Sequence, residues 1–435
     1  MKRLDGFFKL MMLLVVLSLF FSSCDKVGVN PGDDSSGLSK GDTVWVFQLD
    51  EPGFKINDVP LAKGNDGSIY FEAVPFEVEE MTRVYALSSD GKLKWKTEGL
   101  SEFYISNNIV VGDNGTLYCT SGMFLFAINP ENGNINWTWE CPRKLKLGNI
   151  EWDAYLPLSG LTLTNNGDLV FQTSGTLNGV LEAMFCVDEQ GNEKWHSLRQ
   201  NSGSNQITVG PDGMIYSYGH PWDENGYYQP EGLIVTNPDN GAIEKYLQGS
   251  AVNVLVYPVF TSNNNLVVPL YDTVKCLNLN DYTLKWEFVL NGPIQFPNNL
   301  LTDNNGNTFI TPPFYKISDN ETGLIESPES LVIPWYSVID NNSNLTGMES
   351  YAHPSLISVN DKGEELWKKQ EYYLGNSARS VMLSDDVLYF STTYENNNGN
   401  SVSEIIALQW DASMIQTGWP RISHDNRNTC NFNKW

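Results

Sequence analysis

Four histidines, His196, His220, His353 and His424, are the side chains of this 435-residue chain suited to moving protons near neutral pH. None belongs to an HExxH helix, and the chain has no phosphate-binding loop. His424 and Asp425 would make a hydrogen-bonded pair, but a capping role for the C-terminal segment accounts for them more simply. Glu77, Glu79 and Glu80 in "PFEVEEM" read as a solvated loop. The segments "DNNGN" and "ENGNIN" offer oxygen ligands for a hard cation, yet they recur at turns and miss the EF-hand spacing, so turn chemistry explains them. No catalytic residue, metal site or cofactor is expected from these residues.

Cys24 points to a different chemistry. Lys2 and Arg3 precede, and Lys9 opens, the apolar run in "FFKLMMLLVVLSLFF", which ends at "FSSC". A charged start, a short apolar stretch and small residues before a cysteine have the layout of a secretory signal ending in a lipobox, after which the Cys24 thiol would be diacylated. An ordinary signal peptide cut nearby, or a retained anchor, are the alternatives. Residues 24–42 then read as a flexible Gly/Ser/Asp tether. The remaining cysteines, Cys119, Cys141, Cys186, Cys276 and Cys430, are odd in number and widely spaced. Buried free thiols are expected, with one bridge involving Cys141 or Cys430 as the alternative.

Composition narrows the partners. The net charge is −25, so a nucleic-acid or other polyanion surface would have to be built against the overall field. Removing residues 1–23 takes away more basic than acidic side chains, and membrane attachment would then fall wholly on the lipid. Short Val/Ile/Tyr/Phe runs separated by Asn, Asp and Gly indicate an all-β chain.

The elements that must position any site come from an internal repeat. An apolar strand, a turn ending in Gly and a Trp four residues later recur in "VYALSSDGKLKW", "LFAINPENGNINW", "MFCVDEQGNEKW" and "LISVNDKGEELW". Slots at Trp45, Trp95, Trp137, Trp195, Tyr246, Trp286, Ser327 and Trp367 recur at intervals of 40 to 58 residues. A second element is an Asn-Gly or Asp-Gly turn before a short strand, as at Asp66-Gly67, Asn114-Gly115, Asn166-Gly167, Asp212-Gly213 and Asn305-Gly306. Units of this length with four short strands are propeller blades. Eight blades are expected, with seven as the alternative if the weak copy at Ser327 is discounted. "TVWVFQL" and "EIIALQW" would complete one blade from both termini and close the ring. The propeller would span 43–417, followed by a capping tail over 418–435. An open β-solenoid is the rival architecture.

The slots, as in "AINPENGNINW", and the tail "GWPRISHDNRNTC" resemble the pyrroloquinoline-quinone-like eight-bladed β-propeller superfamily over nearly the whole mature chain. The resemblance implies that Trp45, Trp95, Trp137, Trp195, Trp286 and Trp367 are structural wedges between blades. Its enzymes use quinone and calcium, but the adjacent Cys-Cys pair of the resembling dehydrogenases is missing here. Lipid plus eight blades is also the layout of the propeller lipoproteins of outer-membrane barrel assembly, a likeness of fold only.

Both tight turns of each unit fall on one face of the ring, and the long connections on the other. The latter include 140–156, 218–232, 326–336 and 392–403. They place Trp152, Trp222, Tyr227, Tyr228, Trp335 and Tyr336 outside the wedge slots, as anchors for a partner or as plugs that hold the loops down. The expectation is a lipid-anchored envelope propeller, on the outer membrane, that binds another envelope protein or a polysaccharide without catalysis and without nucleic acid. A quinone- and calcium-dependent oxidoreductase and a glycan-binding module are the alternatives.

Overall fold

The computed structural model describes residues 37–435 except 58, 77–80, 101–108, 148–149, 154–155, 174–181, 202–206, 222–228, 250–256, 271–272, 291–298, 312–313, 320–323, 327–334, 350–354, 371–380, 397, 418–420, 422–423, 426 and 435. Every regular element among the described residues is a strand, and every pairing between strands is antiparallel.

We label the four-stranded groups A to H in chain order. Sheet A has a first strand in two pieces, Phe54–Ile56 and Ala62–Lys63, then Ile69–Pro75, Arg83–Leu87 and Leu93–Lys96. Sheet B is Val110–Val111, Leu117–Ser121, Phe124–Ile128 and Ile135–Glu140. Sheet C is Leu158–Leu163, Leu169–Thr173, Ala183–Val187 and Glu193–Asn201, and sheet D is Ile207–Val209, Ile215–Pro221, Gly232–Thr236 and Ile243–Gln248. Sheet E is Val259–Phe260, Asn265–Leu270, Thr273–Asn278 and Leu284–Val289; sheet F is Asn299–Thr302, Asn307–Thr311, Tyr315–Ser318 and Leu324–Glu326. Sheet G is Trp335–Ile339, Leu345–Met348, Ser355–Val359 and Glu365–Gln370. Sheet H is Val381–Ser384, Val387–Glu395 and Ser401–Gln409, with Thr43–Gln48 as its fourth strand, Trp45 opposite Ala407.

The burial of each strand explains its composition. Second and third strands are covered on both faces, so they read as continuous apolar runs such as "LVFQT" and "AMFCV". Outermost strands are covered on one face and alternate, as in "INWTWE". The core lies between sheets: Val170 and Met184 of C pack with Ile207 and Ile215 of D, and Phe71 of A packs in one cluster with Tyr389 and Ile405 of H.

Three expectations about the long connections need correction. The 392–403 segment is a hairpin, with Thr392 opposite Glu404 and Glu395 opposite Ser401, because Asn396 supplies an Asx turn that lets both strands run on. Part of 140–156 is a two-stranded ribbon, Lys144–Leu147 on Ile150–Asp153, with Trp152 opposite Leu145. Trp335 and Tyr336 begin the first strand of sheet G, and Trp335 pairs with Met348.

Candidate functional site

The wedge slots have a common geometry where both partners are described. The Trp95 indole lies on Gly133 of the next sheet so closely that a Cβ there would meet its Cε3 at 2.6 Å, and Gly133 has φ 75°. Trp95 Nε1 donates to the Pro130 carbonyl at 2.8 Å. The same pairing joins Trp45 to Gly91, Trp137 to Gly191 and Trp195 to Gly241, with indole donors to Ser89, Glu189 and Pro238 carbonyls at 2.9, 3.0 and 2.8 Å. Trp367 of sheet G lies on Gly41, just before the strand that completes sheet H. The glycine is thus required twice, by its left-handed backbone and by the ring resting on it.

Between sheets D and E the arrangement is inverted, which the sequence reading missed. Tyr282 stands in the glycine slot at φ 60°, and its hydroxyl meets that of Tyr216 in sheet D at 3.2 Å. The seams from E to G are polar. Asp319 of sheet F accepts Thr261 Oγ1 and Asn265 Nδ2 of sheet E, both at 2.7 Å, and Asp303 accepts Ser343 Oγ of sheet G at 3.0 Å. Asp303 also takes the Asn305 and Asn307 amides, and Asp340 the Asn342 and Asn344 amides. Their carboxylate oxygens are committed to turns and seams, so the "DNNGN" oxygens do not fit a calcium ion.

After Gln409 the chain leaves sheet H and forms a strap over the tight-turn face. Trp410 N donates to Asp386 O at 2.7 Å and Asn341 N to Ser413 O at 2.8 Å, which ties the strap to sheets H and G. Asn428 Nδ2 then reaches the Pro60 and Ile109 carbonyls at 3.1 and 3.0 Å. Thr162 Oγ1 donates to Thr429 O at 2.7 Å, and Asn431 forms a parallel bridge with Val209 while its Nδ2 donates to Leu163 O at 2.8 Å. The strap therefore binds the innermost strands of sheets A to D in turn. Arg427 and Lys434 both pair with Asp113, at the first turn of sheet B. Between the strap, Lys63 and Gly64 of sheet A, and Ser384 and Asp385 of sheet H lies a polar cavity of about 360 Å³.

The side chains suited to chemistry are dispersed. His196 Nδ1 sits 2.8 Å from Glu193 Oε1, a hydrogen bond that raises its pKa. His220 Nδ1 faces the Gln229 carbonyl at 3.1 Å. His424 is buried in the strap, but its Nδ1 is 4.0 Å from Asp425, too far for the expected hydrogen bond. Asp425 instead accepts the Thr429 amide and hydroxyl at 2.9 and 2.6 Å, since the local turn brings those donors nearer. Cys119, Cys141, Cys186, Cys276 and Cys430 are buried, and among the described residues no disulfide joins Cys141 or Cys430 to another cysteine, contrary to the alternative bridge. Burial pushes Cys141 up to about 11 and Cys186 to about 12, leaving no thiolate at neutral pH.

Cys24, Trp222, Tyr227, Tyr228, His353, Glu77, Glu79, Glu80 and the weak slot at Ser327 lie outside the described residues. Trp152, Trp335 and Tyr336 are placed in strands, two of them in sheet G and one in the ribbon after sheet B. Trp286 occupies its slot in the outer strand of sheet E, half-buried against the core shared by D, E and F.

No protein-family model and no curated protein sequence matches the chain. Among solved structures, it is similar to BamB from Moraxella catarrhalis, with a TM-score of 0.56 and 11% identity over 85% of this chain and 100% of that one. A protein of unknown function from Bacteroides caccae matches with a TM-score of 0.37 and 11% identity, over 72% of this chain and 93% of the other. A chain of the Mitotic Checkpoint Complex matches with a TM-score of 0.45 and 9% identity, over 85% and 93%. The likeness to BamB is one of fold, and with the antiparallel sheets described above it makes this chain a β-propeller.

Proposed function

We propose that the chain is a lipid-anchored propeller of the cell envelope, on the outer membrane, that binds another envelope protein or a polysaccharide and has no catalysis of its own. In this reading sheets A to H are eight quinoprotein-like blades, and the pairing of Thr43–Gln48 with Ser401–Gln409 closes the ring. The observation that carries it is the strap. One face is occupied by the chain's own C-terminal segment, which bonds the innermost strands of four successive sheets. A partner is accordingly met on the opposite face, where second strands connect to third and fourth strands to the next sheet. Trp152, Trp222, Tyr227, Tyr228, Trp335 and Tyr336 are its proposed contacts.

The anchor is tested by feeding cells an alkyne fatty acid. Wild-type chain should carry the label and sediment with membranes, whereas Cys24→Ala should lose both; labelled, membrane-bound Cys24→Ala would overturn the anchor. The oxidoreductase alternative predicts a shifted quinone absorbance and dye-linked alcohol or sugar oxidation after reconstitution with quinone and calcium. Our reading predicts neither.

A further inference from the structure

Among the described residues, Arg199 is the cation whose surroundings least explain it. It lies near the end of Glu193–Asn201, where that strand runs on to pair with sheet D, Arg199 opposite Pro221. Trp195 is four residues earlier, so both side chains leave the strand on the same side, toward the layer between sheets C and D. That layer is apolar, built from Val170, Met184, Cys186, Ile207 and Ile215. Arg199 has no exposed surface. Its Nη1 donates to Ser217 Oγ at 3.1 Å and to Thr236 Oγ1 at 3.2 Å, two neutral hydroxyls of sheet D. Its main-chain amide donates to the Glu182 carbonyl.

The other edge of the guanidinium is bare: Nε and Nη2 are both buried without a hydrogen-bond partner. Among the described residues no carboxylate forms an ion pair with Arg199, and burial alone lowers its pKa, to about 10, so the group stays charged at neutral pH. Buried charges are ordinarily paired, because an isolated one forgoes its hydration. The bare edge also has a specific shape. The Nε–H and the adjacent Nη2–H lie parallel, the fork that donates to two oxygens of one carboxylate or phosphate. Ser217 and Thr236 hold the third nitrogen, which fixes the fork in orientation.

We propose that Arg199 is the receptor of an oxyanion site between sheets C and D, which takes a carboxylate or phosphate group side-on through Nε and Nη2. The occupant is held within the packing, so binding is read most directly as stability. The site is separate from the aromatic contacts proposed above and does not depend on them.

The test is thermal unfolding of the full chain in chloride, acetate or phosphate at matched ionic strength. Wild type should gain about 2–4 °C in acetate or phosphate over chloride at a hundredfold excess over the dissociation constant. Whichever anion acts at the lower concentration identifies the group. Arg199→Lys, which keeps the charge and loses the fork, should retain less than half of that shift, and Arg199→Met none. An equal response of wild type and Arg199→Met would overturn the proposal, as would a wild type indifferent to all three anions. If Arg199→Met does not fold, the Arg199 Nε–H resonance of ¹⁵N-arginine-labelled wild type, assigned by its loss in Arg199→Lys, decides. It should shift saturably with one of the oxyanions and not with chloride; an unmoved resonance refutes the site.

Discussion

Between sheets A and D each seam up to C–D is closed by an indole lying on a glycine, whereas among the described residues the seams from E to G carry bonds between buried Asp, Asn, Thr and Ser side chains. The two fastenings differ in what they demand of the chain. An indole on a glycine needs one large and one absent side chain at fixed places, and it gains mainly by burying area. A carboxylate seam needs several small polar groups whose donors and acceptors match, and its net gain is modest while its loss is expensive. The strap crosses that division, since it bonds the innermost strands of sheets A to D and is also tied to sheets H and G through Asp386 and Asn341.

The largest expected effect breaks the indole side. Trp95→Ala removes a buried ring from the A–B seam and should cost about 3–5 kcal/mol, read as a lower denaturant midpoint with an unchanged slope. An effect below 1 kcal/mol would mean the seam collapses around the gap and the wedge is dispensable. On the polar side, Asp319→Ala strands the Thr261 hydroxyl and the Asn265 amide and should cost about 2–3 kcal/mol. Combining it with Trp95→Ala sharpens the contrast: the seams are distant, so the two losses should add within about 0.5 kcal/mol.

A smaller loss, about 1–3 kcal/mol, is expected for Asn431→Ala, which removes the strap's bonds to Leu163 and Asn165. Proteolysis after the last strand should accelerate in this variant if the strap frays alone; unchanged cleavage would show that it unfolds only with the sheets. The smallest effect is electrostatic. Burial acts to raise the Asp113 carboxyl, but Lys434 and Arg427 outweigh it and hold it below 3.8. A carboxyl lowered by folding stabilises above its unfolded pKa and loses that contribution as pH falls through its folded pKa. Acid should therefore weaken the strap below about pH 4, and Asp113→Asn should flatten that part of the stability profile while leaving the rest unchanged.

These two fastenings also decide what could be read from the residues alone. The indole seams leave a residue-specific signature, Gly then Trp four positions on, because each glycine receives the indole of the preceding sheet and each Trp lies on the glycine of the next. The polar seams do not, since Asp303 in a turn looks the same whether it serves only its own Asx turn or also the Ser343 hydroxyl across the seam. Tyr282 carries a side chain where the repeat has glycine, and its hydroxyl supplies the contact from the opposite side. Much of the strap was illegible for a further reason: Asn428 and Asn431 bind main-chain carbonyls, which place no constraint on the sequence they touch. Asn-rich stretches such as 396–400 read as long connections, whereas Asn396 builds a turn there that lets the flanking strands pair.

The central claim is that a partner is bound on the face away from the strap. The most direct test is a pull-down from crosslinked cells with wild type, a Trp222→Ala/Trp335→Ala double variant, and Asp385→Asn on the strap face. The account predicts that the double variant loses at least one partner that Asp385→Asn retains, with both variants folded by circular dichroism. A double variant that keeps every wild-type partner, or a loss confined to Asp385→Asn, would contradict it.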